Sequence, residues 1–304
     1  MTRPDYLVPG DKIAIAAPAR KISMEELTPA IRLFESWGLD VMLPEGLFAK
    51  SNQFAGSDIV RTDLLQSLLD DNTVKAIICA RGGYGTVRII DNLDFTKFAA
   101  QPKWIVGYSD ITVLHSHIHQ NYGIETLHAT MPINIPTDAD MVEYASIKTL
   151  KAALFGEGLN YCGTCGTIGR KGTAEGLVVG GNLSILYSLC GSPSTINTDG
   201  KILFIEDLDE YLYHIDRMMM NLKRNGMLAN LAGLVVGQMS DMHDNAIPFG
   251  RNAREIVMDA VKEYDYPVCL NFPAGHNGTG NNALFLGRNA KLSVGISTTL
   301  TFDE

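Results

Sequence analysis

Four short apolar runs in this 304-residue chain end in residues able to do chemistry. Ala80 leads into Arg81-Gly-Gly-Tyr-Gly85, and Val106 leads into Gly107-Tyr-Ser109-Asp110. Ile205 leads into Glu206-Asp207, and Leu270 into a glycine- and asparagine-rich stretch that carries His276. Ligands of open α/β sheets bind beyond the carboxyl ends of the strands, so these segments are candidates for one site. A serine hydroxyl is a weak nucleophile until an imidazole accepts its proton, and that imidazole needs an acid to orient it. The segments supply those parts, which makes a serine hydrolase the chemistry to test.

Ser109 falls between a strand and a helix on a tight turn, the mechanical arrangement of a nucleophile elbow. The second glycine of G-x-S-x-G is absent, and Ser-Asp at a helix start also reads as an ordinary N-cap. Among seven histidines, His276 is the base candidate, because side chains in loops carry function more often than core packing. His115, His117 and His119 lie on the helix after Ser109. His115 and His119 share a face at i, i+4, but the glutamate of H-E-x-x-H is missing, so they read as packed or solvated helix residues. The remaining histidines, His128, His214 and His243, have no supporting motif. The orienting acid is Glu206 or Asp207, and the local sequence does not separate them. Gly82, Gly83 and Gly85 leave backbone N–H groups uncovered, which suits an oxyanion hole, a tight turn or a phosphate cradle. Nucleotide binding recedes because Arg88 breaks G-x-G-x-x-G and no G-x-x-x-x-G-K-[ST] occurs. Cys162-Gly-Thr-Cys165 is a lone C-x-x-C, without the second pair of a zinc ribbon or a thioredoxin-like strand–helix setting. Neither metal nor other cofactor is expected.

The elements that must position these residues follow from apolar spacing. Strands are predicted at 12–17, 39–43, 74–80 and 103–106. Helices are predicted at 25–37, 58–69, from 86 through 90, and from 111 to 122, with Gly38 and Gly123 as stops. In the second of these helices Ile59, Leu64, Leu65 and Leu68 share one face. Alternating strands and helices make a parallel sheet with both faces covered. The middle, 136–172, has a helical piece at 146–155 and then glycine and cysteine clusters, and reads as a linker and boundary. Beyond it lie apolar runs at 176–179, 201–205, 231–236 and 267–270, helical stretches at 211–223 and 253–264, and a strand-like alternation over 292–302. The division is therefore 1–145, a linker at 146–172, and 173–304, the last with a mixed sheet.

Composition sets outer limits. Apolar residues are 46% and charged residues 19%, which excludes wholesale disorder. The net charge is −9 and no Lys/Arg-rich run occurs, so nucleic acid and anionic membrane surfaces are poor partners. No membrane-span-length apolar run and no signal-peptide pattern at Met1 are present, and the five cysteines are an odd number. A reduced, cytoplasmic protein is the expectation.

Arg81-Gly-Gly-Tyr-Gly85, Gly107-Tyr-Ser-Asp110, Gly180-Gly-Asn182, Phe204-Ile-Glu-Asp207 and Gly275-His276 occur in this order. Together they resemble the LD-carboxypeptidase family, the muramoyltetrapeptide carboxypeptidases of bacterial cell-wall recycling. The similarity runs from the Gly10-Asp-Lys-Ile start to Leu286-Gly287. The resemblance implies an α/β fold with a flavodoxin-like, doubly wound parallel-sheet N-terminal domain that carries the nucleophile. It implies a smaller, swivelling-type α/β C-terminal domain with a mixed sheet that carries acid and base. It further implies Ser109 as nucleophile, Glu206 rather than Asp207 as orienting acid, His276 as general base, and the N–H groups of Gly83 and Asp110 as oxyanion hole. A homodimer is implied by the family alone. The implied substrate is a small murein peptide cut before its terminal D-alanine, with Arg81, Gly82 and Tyr84 assigned to binding it. Arg81, Arg88 and Arg217 are the candidate cations for its carboxylate. One alternative keeps the triad but cleaves aminoacyl-nucleotide conjugates, as microcin C self-immunity peptidases do. Another is a non-catalytic, flavodoxin-like protein that binds flavin or another small ligand.

Overall fold

Runs of aliphatic residues with covered faces build the first sheet. Its strands β1 (Lys12–Ala16), β3 (Val74–Cys79), β4 (Trp104–Gly107) and β5 (Thr126–His128) are largely buried, and β2 (Asp40–Met42) forms its more exposed edge. The computed structural model describes residues 1–137, 144–162, 166–276 and 280–304. Later strands are β6 (Asn160–Tyr161), β7 (Thr167–Arg170), β8 (Gly172–Asn182), β9 (Ile202–Leu208) and β10 (Gly233–Ser240). They are followed by β11 (Val268–Leu270), β12 (Leu284–Leu286), β13 (Asn289–Val294) and β14 (Thr299–Phe302).

The first sheet has the order β2-β1-β3-β4-β5-β12. Five of its strands are parallel, and β12 closes the β5 edge antiparallel. The second sheet has the order β6-β14-β13-β8-β9-β10-β11-β7, with β8 through β11 parallel and antiparallel strands outside them. Helices α1 (Met24–Ser36), α2 (Asp58–Asp70), α3 (Thr96–Ala100) and α4 (Thr112–Tyr122) connect the strands of the first sheet. The helices α5 (Ala145–Phe155), α6 (Leu183–Leu189), α7 (Leu212–Arg224) and α8 (Ala253–Ala260) follow. Both α1 and α8 start with capping boxes, Ser23 with Glu26 and Asn252 with Glu255, which satisfy donors that a helix start otherwise leaves orphaned. The chain is thus a mixed α/β protein built on two sheets. One apolar cluster joins them, with Ile13, Phe34, Trp104 and Leu127 meeting Val178, Phe204, Phe272 and Leu292.

Several sequence expectations are corrected. Within the segment 146–172 α5 buries Ile147, Leu150, Ala153 and Leu154, a helical stripe, and β6 and β7, which the sequence did not mark, join opposite ends of the second sheet. Residues 86–92 form two short 3₁₀ turns, Thr86–Arg88 and Ile90–Asn92, in place of a helix. On α2, Ile59 is 72% exposed and Arg61 is buried in its stead, because the Arg61 guanidinium reaches Pro18 O, Gly85 O and Asp58. The helix expected at 253–264 stops at Ala260. The alternating tail is a hairpin rather than one strand, since β13 and β14 pair antiparallel about a turn with fully exposed Ile296. Among the described residues no helix is long and apolar enough to cross a membrane.

Candidate active site

The β4 strand ends at Gly107, Tyr108 continues extended, and Ser109 then enters the left-handed region at φ 62°. That conformation costs an ordinary L-residue roughly 1–2 kcal/mol, so the surroundings must hold it. Two bonds do so. Ile111 N–H donates to Tyr108 O at 3.3 Å, and the buried Asp110 carboxylate accepts the Thr86 N–H at 2.9 Å. The second bond ties the serine turn to the glycine loop after β3. The N-cap alternative fails, because Ser109 caps neither the 3₁₀ turn that it begins nor α4. Among the described residues Ser109 Oγ makes no hydrogen bond.

The glycine loop lies against that turn. A Cβ on Gly82 would sit 2.9 Å from Ser109 Cβ, 3.1 Å from its Oγ and 3.3 Å from the Asp110 nitrogen. Only a residue without a side chain lets the loop approach so closely. Gly83, at φ 109°, is overlain by the Arg20 side chain. Neither Gly83 nor Asp110 has its N–H bonded to an acceptor among the described residues. Arg61 braces the loop from behind through Gly85 O.

Acid and histidine come from the second half of the chain. Glu206, near the end of β9, is fully buried and accepts a 2.6 Å hydrogen bond from His276 Nδ1. Burial penalises the Glu206 charge, but the His276 imidazolium and the hydrogen bonds from His276 and Asn182 outweigh it and hold the carboxyl below its ordinary range. Burial likewise works against the His276 charge, and Glu206 overcomes it by charge and hydrogen bond, holding the imidazole above its ordinary value. Asp207 faces a different task. It accepts the Ser184 N–H at the start of α6 (2.9 Å), the Leu208 N–H (2.9 Å) and Asn182 Nδ2 (3.0 Å). Burial, with Glu206 beside it, pushes the Asp207 carboxyl up to about 7 in spite of those donors. The geometry thus separates the two acids that the local sequence left open.

The His276 loop is held from the first sheet. Asn281 Oδ1 accepts the Gly275 N–H at 2.7 Å and lies 3.3 Å from Nε2 of His128 at the end of β5. The Tyr108 ring packs 4.8 Å from the His276 ring, and its hydroxyl donates to Asn134 Oδ1 at 3.0 Å. A Cβ on Gly275, at φ 112°, would lie 2.8 Å from Glu206 Cβ.

A cavity of about 460 Å³ is lined by Arg20, Arg81, Gly82, Gly83, Ser109, Asp207 and His276, among others. Of the expected site residues, Tyr84 is not brought to it: its exposed ring tilts against Phe54. Arg88 is tied to Asp58, and Arg217 sits over Tyr213 in a separate cavity. Residues that sequence reasoning missed are Arg20, His128, Asn281, Tyr108 and Arg61. Tyr108 stands in the Gly107-Tyr-Ser-Asp110 string without a role of its own there, the others stand in no motif with a mechanism attached, and Asn182 was marked through Gly180-Gly-Asn182. His115 and His119 are buried and bonded to Gly107 O and Thr126 Oγ1. Among the described residues no cluster of potential metal ligands is found. Cys162 is exposed, while Cys165 lies outside the described residues.

Known proteins are similar to this chain in sequence and fold. Residues 13–129 match the model of the LD-carboxypeptidase N-terminal domain, and residues 175–292 match that of the LD-carboxypeptidase C-terminal domain. The "Probable murein peptide carboxypeptidase" of Bacillus subtilis (strain 168) is 38% identical over 282 residues, which is 90% of this chain and 86% of that protein. The microcin C7 self-immunity protein MccF of Escherichia coli is 25% identical over 306 residues, or 89% of this chain and 87% of its own. The crystal structure of muramoyltetrapeptide carboxypeptidase from Oxalobacter formigenes superposes with a TM-score of 0.87 at 26% identity, covering 96% of this chain and 99% of that one.

Proposed function

The chain belongs to the LD-carboxypeptidase family, and from that membership we propose that it is a serine carboxypeptidase that removes the terminal D-alanine from murein tetrapeptides. The observation that carries the reading is the 2.6 Å Glu206–His276 bond on the same cavity as Ser109. With Nδ1 bonded to Glu206, the His276 nitrogen left to take a proton is Nε2. Ser109 Oγ attacks the carbonyl carbon before the terminal residue and gives its proton to that nitrogen. The N–H groups of Gly83 and Asp110 bind the oxyanion, worth about 10²–10³ in rate per donor in comparable sites. Collapse expels the D-alanine amine, which takes the proton from His276, and water then hydrolyses the acyl-enzyme by the same route. No step calls for a metal or other cofactor. The setting in which we place this reaction is the cytoplasm, with the protein as a homodimer.

The relative with a murein peptide name is 38% identical and the microcin relative 25%, which favours the murein substrate. Mass spectrometry of a murein tetrapeptide incubated with the protein tests the proposal. Loss of one alanine, abolished in Ser109→Ala, is expected. An intact tetrapeptide beside a cleaved aminoacyl-nucleotide conjugate would move the reading to the microcin class. No cleavage of either, and no labelling of Ser109 by a serine-reactive phosphonate, would leave a ligand-binding protein.

A further inference from the structure

An exopeptidase tells a chain end from a continuous chain by one feature, the carboxylate one residue beyond the scissile carbonyl. Resting on the carboxypeptidase reading, we propose that Arg20 is the residue that binds this carboxylate and sets the preference for a free C-terminus.

Two guanidinium groups line the cavity, those of Arg20 and Arg81. Arg81 is engaged: Nη1 donates to Lys21 O at 3.3 Å and lies 3.7 Å from Glu26 Oε1. Arg20 is exposed and, among the described residues, has neither hydrogen bond nor ion pair. Its donors are uncommitted, and a planar guanidinium fork matches a carboxylate in a bidentate way.

Position agrees with charge. The Arg20 side chain crosses Gly83 so closely that a Cβ there would lie 2.6 Å from Arg20 Cδ and Nε. Gly83 supplies one oxyanion donor in the proposed reaction, so a group bonded one residue beyond the carbonyl falls beside this guanidinium. The backbone below is fixed. Ala55 N–H donates to Ala19 O at 3.2 Å, Lys21 N–H to Gln53 O at 3.0 Å, and Arg61 holds Pro18 O. The acids that also line the cavity are bonded already, Asp207 to the Ser184 N–H, Asp209 to His243 and Glu210 to His214, and as carboxyl groups they offer an anionic chain end no cation. Sequence reasoning chose Arg81, Arg88 and Arg217 for this role. The last two are committed elsewhere, and Arg81 is held by its own neighbours.

The test compares one tetrapeptide with a free terminal carboxylate and its C-terminal amide. Hydrolysis is measured with the native chain, Arg20→Ala, Arg20→Lys and Arg81→Ala, and binding is measured by calorimetry on the same set in a Ser109→Ala background. The native site is expected to prefer the acid by about 10–100-fold, the scale of one or two charge-assisted hydrogen bonds. Arg20→Ala should abolish the preference by weakening acid binding alone, with the effect falling on KM, and Arg20→Lys should restore part of it. If Arg20→Ala keeps the preference while the tetrapeptide is still cut, Arg20 is not the reader but the peptidase reading stands. The same holds if Arg81→Ala alone removes it. If no variant cuts either peptide and none binds them in the Ser109→Ala background, both fall together.

Discussion

The two sides of the cavity are built on opposite principles. On the acid–base side Glu206, His276, Asn182, Asp207 and Asn281 are joined by hydrogen bonds, several of them charge-assisted and buried. On the nucleophile side Ser109 Oγ has no partner among the described residues, and its placement comes from a left-handed backbone turn wedged against Gly82. One side is positioned by polar bonding and the other by shape. The difference teaches where each is vulnerable. A bonded network fails when a partner is removed, whereas a shape-held residue fails when atoms are added.

Removal of the nucleophile is the largest expected effect. Ser109→Ala should lower kcat for D-alanine release by at least about 10³-fold and leave peptide binding intact; activity near the native level would end the serine reading. Breaking the bonded side comes next. Glu206→Gln keeps the shape but loses the charge that fixes the imidazole, with an expected fall in kcat of about 10²–10⁴-fold. Adding atoms to the shape-held side should cost less. Gly82→Ala must displace Ser109 or the loop, and an expected loss of about 10²-fold in kcat with little change in unfolding midpoint would show that the contact aims the serine. A harmless Gly82→Ala would erase the contrast between the sides. The smallest effect is a shift in pH. His276 must be neutral to accept a proton, and Glu206 holds it above the ordinary imidazole value, so kcat/KM should rise with pH along a limb lying above 6.5. In Glu206→Gln burial acts without that opposing charge, so the limb should move to lower pH.

The sequence was a good guide to the parallel strands of both sheets and to the ends at which chemistry sits. Those strands are continuous buried runs such as Ala76, Ile77, Ile78 and Cys79, and a buried run needs no partner information to be recognised. Two of the three-residue strands, unlike β2 and β11, were another matter. Thr126–His128 and Leu284–Leu286 are too short for a period, and they exist because each pairs with a strand placed by the rest of the fold. The site divides in the same way. Ser109, Glu206 and His276 stand at strand ends or in loops and were visible as types. The choice between Glu206 and Asp207 was invisible locally, because it depends on which one the His276 loop reaches. Arg20 was missed because its meaning lies in a neighbour distant in sequence, Gly83, and in the lack of a partner, neither of which a sequence pattern records. Arg61 drew no notice on α2, and three acceptors brought from the loops after β1 and β3 and from Asp58 draw it inside.

The placement of β12 has a consequence for the order in which the molecule is made. The free edge of β5 is covered by Leu284–Leu286, yet β5 itself ends at His128. At ordinary rates of synthesis the ribosome needs on the order of ten to thirty seconds to travel from one to the other. Throughout that interval the nascent first sheet presents the unpaired N–H and C=O groups of an edge strand, a template for pairing with another chain. A truncated product that ends before residue 284 would keep that edge open permanently.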